Sequence, residues 1–292
     1  MRYFDLHCDT PYRMYHEQLD FDSPHLQVND HALQQFESPR QVFAVWSDKH
    51  LDDQRAFEAY GAILANFKQK IRHFSVTPYF AVEDARLLCG QLSRLYELHR
   101  DGVRFLTLVW GGTSPIGGAH DTGQGLTAFG IRVVQRCFEL GVVPDISHAS
   151  KETAEQVLTL AEEAHRPVVA SHSNAYSLCR HPRNLTDEQF RRICAGGGLV
   201  GLSLVPEHLS GTGLAFLSDA VRHVRHWLSL GGEAHLCLGC DFDGIAHGPV
   251  GLEDAGRLPA LADALRAVGV SPDTIEQIFW KNAARFAEAH LQ

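Results

Sequence analysis

Apolar, β-branched runs of strand length recur along this chain, and longer stretches with a helical apolar period lie between them. The pattern predicts strands over Tyr3–His7, Val42–Ser47, Phe74–Glu83, Val103–Trp110, Val142–His148, Pro167–Ser173, Leu199–Val205 and His235–Asp243. Helices are expected over Asp53–Ile71, Asp84–Arg100, Thr127–Gly141, Ser150–His165, Thr186–Gly197 and Leu217–Gly231, with a further pair from Asp254 onward. Gly141 is placed to end its helix, and Ser150 to cap the next, with Glu152 and Glu155 in its first turns. Strands that are apolar nearly throughout, alternating with helices, imply a parallel sheet covered by helices. Eight such units favour a closed (β/α)8 TIM barrel in one domain spanning residues 1–292 over a doubly wound sheet. The glycine-rich stretch Gly111–Gly125 interrupts the pattern and reads as a long flexible loop after the fourth strand.

Composition changes this picture little. A chain of 292 residues, 45% hydrophobic and 21% charged, has room for one large barrel. A net charge of −9 with no basic block argues against a nucleic-acid partner. No apolar run is long enough to span a membrane and no leader pattern precedes the first strand, so a cytoplasmic location without membrane contact is expected. Seven cysteines cannot form a complete disulfide set, and the CxxC of Cys237 and Cys240 lies in an apolar strand-like run, where both read as small core residues.

Chemistry enters at the strand ends, where a barrel carries its site. His7 and Asp9 are two apart, the spacing that sends strand side chains to one side. Glu83, His148, His172 and Asp241 stand at four more ends. Each alone has a plain structural explanation as a cap, a turn or a hydrogen-bonded core group. Five strand ends sharing that explanation is improbable, so the set reads as a metal site. Three imidazoles and two carboxylates, with Asp241 set aside, exceed the ligands one catalytic zinc needs and suit two divalent ions sharing a carboxylate. Zn²⁺ fits this donor set best, with Mn²⁺, Fe²⁺ and Co²⁺ as alternatives.

These residues stand in motifs that resemble the membrane (renal) dipeptidases, a family of amidohydrolase-like metal-dependent barrels. "DLHCDTP" is similar to the family's first metal motif, and "AVED" to the segment of its bridging glutamate. "DISHAS" and "ASHSNAYSLCRHPRNLTDEQ" resemble its later histidine motifs, and "GCDFDG" its eighth-strand aspartate motif. The likeness runs through essentially the whole chain in order. It implies that His7 and Asp9 bind one metal, that His148 and His172 bind the other, and that Glu83 bridges them. It further implies that Asp241 handles the proton of a bridging water and that Arg183 grips the substrate's C-terminal carboxylate, and it makes a homodimer a reasonable expectation. One departure stands out: the family often ends its fourth strand in a histidine, and Trp110 stands there instead. Either Trp110 only shapes the pocket, or His120 in the glycine-rich loop takes over; a solvated loop residue is the plainer reading of His120.

The resulting expectation is hydrolysis of small dipeptides with a free C-terminal carboxylate, and the resemblance suggests tolerance of a D-residue there. Lactone, cyclic-amide or phosphotriester hydrolysis, or deamination, is compatible with the ligand set but gives Arg183 no task. A metal-binding protein without turnover is the third alternative, and Asp241 speaks against it, since metal retention does not require that residue.

Overall fold

The computed structural model describes residues 1–291. Eight parallel strands close into a barrel in sequence order: β1 (Arg2–Cys8), β2 (Glu37–Trp46), β3 (Thr77–Glu83), β4 (Val103–Thr107), β5 (Val143–Asp145), β6 (Val169–Ser173), β7 (Leu199–Leu202) and β8 (Leu236–Leu238). The (β/α)8 architecture read from the pattern is therefore present. Several strands are shorter than the apolar runs that announced them. The strands β5 and β8 end three residues before His148 and Asp241, so these two side chains stand on the loops above the barrel and not within it.

Capping explains the helix boundaries. The helix Asp53–Ile71 starts where Asp52 accepts the Arg55 N–H, and Lys151–Ala164 starts where Ser150 accepts the Thr153 N–H. Thr186 and Gln189 form a reciprocal capping box ahead of Asp187–Ala195. Ala128–Leu140 ends at Gly141, whose φ of 72° few other residues tolerate. The helix expected over Asp84–Arg100 is two pieces, a 3₁₀ turn at Ala85–Leu88 and a helix at Ser93–Arg100. Cys89 and Gly90, both in the left-handed region, break the continuous apolar pattern between them.

Two apolar layers result. Outside the strands, helix residues such as Phe67, Val134, Val157, Phe190 and Trp227 pack against the sheet. Inside, Phe4, Val42, Phe105, Val143, Val169 and Leu199 fill the lower barrel, and the C-terminal residues Trp280 and Phe286 close its floor. Cys237 and Cys240 are fully buried free thiols, as their apolar context suggested. The Gly111–Gly125 stretch is pinned, against the expectation of flexibility. Short bridges join Thr113 to Gly118, Gly117 to Leu126 and Ala119 to Ala149, and a Cβ at Gly118 would lie 2.3 Å from the Gln124 carbonyl oxygen. Among the described residues no helix is long and apolar enough to cross a membrane.

Candidate metal centre

The upper mouth of the barrel gathers every metal-ligand candidate the sequence offered. Glu83 closes β3 and places its Oε1 2.9 Å from His148 Nε2, 3.5 Å from His172 Nε2 and 3.7 Å from His7 Nε2. His7 Nε2 lies 3.5 Å from Asp9 Oδ2 and 3.7 Å from Asp241 Oδ1. Two groups of side chains therefore flank one carboxylate. His148 and His172 converge with Glu83 on one side, and His7, Asp9 and Asp241 converge on the other, with the candidate ligand atoms of each group within 4.8 Å of one another.

Hydrogen bonds around the rings show what this cluster is suited to hold. His148 Nδ1 is 2.9 Å from the Trp110 carbonyl, which can only accept, so the ring hydrogen is on Nδ1. His172 Nδ1 is 2.8 Å from Ser171 Oγ, whose own hydrogen goes to Asp145, so this Nδ1 also donates. Burial, reinforced at His148 by Arg183 and at His172 by His7, holds both imidazoles neutral, far below their ordinary pKa. Each ring thus turns a bare Nε2 lone pair inward, and the two nitrogens sit 3.0 Å apart. Facing lone pairs repel, and a cation accepting both removes the conflict. At His7, neither ring nitrogen has a hydrogen-bond partner although the residue is 1% exposed.

The carboxylates are held in a matching state. Burial and the neighbouring Asp9 push the Glu83 pKa well up, and burial takes Asp241 to about 7 while His7 pulls against it. Burial opposes a charge on His7, yet Glu83, Asp9 and Asp241 outweigh it and raise its pKa to about 10. Without a metal the anionic cage recruits protons; with divalent cations the same groups become ligands. The donor set fits such ions.

Backbone strain marks the same place. His148 and Asp241 have φ of 69° and 63°, left-handed values uncommon outside glycine and costly for most residues. Gly244 makes room for the acidic pair: a Cβ there would lie 2.3 Å from Asp9 Oδ2 and 2.6 Å from Asp241 Oδ1.

A cleft of about 700 Å³ opens above the cluster. Arg183 lines it, 5% exposed, with neither terminal guanidinium nitrogen hydrogen-bonded. Burial lowers its pKa to about 10 against the pull of Asp241 and Glu83, so it stays charged at neutral pH. The surface role that is the default for arginine is thus replaced by a buried cation without a partner. Trp110 lines the cleft too, and its carbonyl orients His148. His120 is half-buried in the cleft wall and not a free surface residue: its backbone N–H donates to the His148 carbonyl at 2.7 Å, and burial, with Arg183 nearby, lowers the ring pKa to about 4.

Several residues of this region stand outside the site candidates named above. Asp145 accepts from Thr107, Ser147 and Ser171, and Asp5 accepts the N–H groups of His7 and Cys240, so both brace the segments that carry the cluster. A carboxylate inside an apolar strand was the available signal for each. His181, His208 and Trp46 also line the cleft. Nothing in their local sequence distinguished them from packing residues.

A closed parallel barrel with histidines and carboxylates clustered at its upper mouth has the architecture of the amidohydrolase-like metal-dependent barrels. The family model of the membrane dipeptidases, peptidase family M19, matches residues 62–291, and the chain belongs to that family. An uncharacterised dipeptidase of Schizosaccharomyces pombe is 29% identical over 291 residues, covering 96% of this chain and 66% of its own length. Among solved structures, dipeptidase AC superposes with a TM-score of 0.91 at 24% identity, covering 100% of this chain and 99% of its own. A metallopeptidase of Rhodobacter sphaeroides, liganded with a phosphinate mimic of the dipeptide L-Ala-D-Ala, gives 0.86 at 24% identity with 99% of each chain covered. At that identity these structures speak for the fold.

Proposed function

We propose that the protein is a binuclear metallo-dipeptidase that hydrolyses the amide bond of dipeptides with a free C-terminal carboxylate. The observation that carries this reading is Arg183: a buried, charged and unpartnered guanidinium in the cleft beside the metal cluster. An unpaired buried cation is costly, and a substrate carboxylate is its natural complement, offering two oxygens to the planar fork.

In this reading His7 and Asp9 would hold one divalent ion and His148 and His172 a second, with Glu83 available to both, and zinc would be the ion best suited to imidazole and carboxylate donors. Such ions acidify a water and polarise a carbonyl, the two things amide hydrolysis requires. The chain's own residues do the rest. Arg183 fixes the carboxylate and so the register of the peptide bond over Glu83. Asp241 takes the proton of the attacking water and passes it to the departing amine, and its pKa of about 7 before metal binding suits a group that must both accept and donate. Trp110 lines the cleft and, through its carbonyl, holds His148 in its ligating tautomer. The Rhodobacter sphaeroides complex with an L-Ala-D-Ala mimic supports acceptance of a D-residue at the C-terminal position. Seven free thiols suit a reducing compartment, in keeping with a cytoplasmic enzyme.

The test is turnover of L,L and L,D dipeptides by zinc-reconstituted protein, with C-terminally amidated partners. Hydrolysis of free dipeptides, at least about 10²-fold weaker on amides and similarly weakened by Arg183→Gln, is expected. Equal cleavage of amides removes the role of Arg183. Metal-bound protein inactive on every dipeptide removes the function.

A further inference from the structure

The cleft also has an aromatic wall whose rings this mechanism does not use. Trp46 is the last residue of β2, Tyr12 follows β1 and Trp110 follows β4, and all three are half-buried residues of the cleft lining. The Tyr12 and Trp46 ring centroids are 5.1 Å apart in an edge-on pair, and Trp46 and Trp110 are 5.1 Å apart and tilted. The wall is held in place from behind: Tyr12 OH donates to Asp48 Oδ2 at 3.0 Å, and the Trp110 carbonyl takes the His148 hydrogen bond. Half-exposed rings arranged in this way inside a concave site offer a large apolar contact area at little entropic cost. The Trp46 indole N–H is buried without an acceptor, a condition seldom left standing in a finished interior.

The barrel order decides which part of a substrate meets this wall. Arg183 follows β6, and in a closed ring of eight strands β2 lies diametrically across from β6. The metal cluster sits between them, on β1, β3 and β6 and the loops after β5 and β8. A dipeptide with its carboxylate on Arg183 and its amide over the cluster therefore extends its N-terminal residue toward β2, where Trp46 stands between Tyr12 after β1 and Trp110 at the side, after β4.

We propose that Tyr12, Trp46 and Trp110 form the subsite for the side chain of the substrate's N-terminal residue, and that the enzyme favours dipeptides with an aromatic or large apolar residue there. The inference rests on the dipeptidase reading and deepens it by naming the substrate class. Trp46 is the central determinant because it touches both other rings.

The experiment compares kcat/KM for Phe-Ala, Leu-Ala, Ala-Ala and Ala-Phe on the zinc-loaded full chain. Phe-Ala is expected to exceed Ala-Ala by about tenfold or more, a ratio that Trp46→Ala collapses and Trp46→Phe largely keeps. The ratio of Ala-Phe to Ala-Ala should not follow, since that side chain lies on the Arg183 side. Tyr12→Ala, at a half-exposed position, gives a second reading of the same ratio should Trp46→Ala fold poorly. A purely structural wall would lower all substrates together and leave the ratios where they were. Turnover with no N-terminal preference, or with a preference that Trp46→Ala and Tyr12→Ala leave intact, overturns the subsite alone. No turnover on any dipeptide overturns the dipeptidase reading and the subsite with it.

Discussion

The two ends of the barrel obey opposite rules. At the floor, Phe4, Val42, Phe105 and Val169 are almost wholly buried apolar residues, Phe105 stacks on Phe286 with centroids 6.3 Å apart, and Arg40 caps the Trp280 ring from 4.5 Å. At the mouth, unpartnered nitrogens, facing lone pairs, crowded carboxylates and left-handed backbone gather within a few residues. The floor minimises free energy for its own sake. The mouth holds groups in arrangements that only a bound ligand makes comfortable. Stability and function are thus separated along the barrel axis, and substitutions at the two ends should behave as opposites.

The largest effect is expected at the shared carboxylate. Glu83→Gln should cost about 10³-fold or more in kcat/KM, the scale of losing one member of a catalytic unit, while the metal-free protein melts no lower than the parent. Steady-state kinetics with a thermal melt in chelator checks both halves. Phe105→Ala is the mirror image: about 3–5 kcal/mol lost in denaturant unfolding, with activity per folded molecule retained. Gly244→Ala sharpens the contrast, because its new methyl group must displace Asp9 and Asp241 by ångström amounts. A loss of about 10²-fold in kcat with little change in unfolding free energy is expected.

The smallest effect separates the ends by their protons. In metal-free protein at neutral pH, His7, with its pKa near 10, is charged, and Asp241, near 7, is partly protonated. Both must lose their protons to act as ligand and base, so metal binding should release protons, and affinity should fall as pH falls. Calorimetry in buffers of different ionisation enthalpy reads that release. Phe105→Ala should leave it unchanged and Glu83→Gln should reduce it, since Glu83 is the largest charge raising the His7 pKa.

Much of the mouth could be read from the chain because it interrupts a pattern. Histidines and acids at the ends of apolar runs have no packing reason to recur, and His7, Asp9, Glu83, His148, His172 and Asp241 do converge at one site. What could not be read depends on partners distant in sequence. Asp145 and Asp5 sit inside strands and serve backbone N–H groups on neighbouring segments. Trp46 ends an apolar strand and looks like core until the barrel closes around it. Arg183 was singled out by the family resemblance alone, and its physical reason, burial without a partner, lies in segments distant in sequence. The break at Cys89 and Gly90 was masked by a helical period on both sides of it. The Gly111–Gly125 loop was misread because glycine signals mobility in isolation, whereas Gly118 here permits a close backbone approach that holds the loop.

The dipeptidase reading requires Glu83 to stand between two cations. Crystals of zinc-reconstituted protein, measured at the zinc absorption edge, test it directly. Two anomalous peaks flanking the Glu83 carboxylate, one beside His7 and Asp9 and the other beside His148 and His172, are the predicted result. A single peak, or peaks away from Glu83, would contradict it.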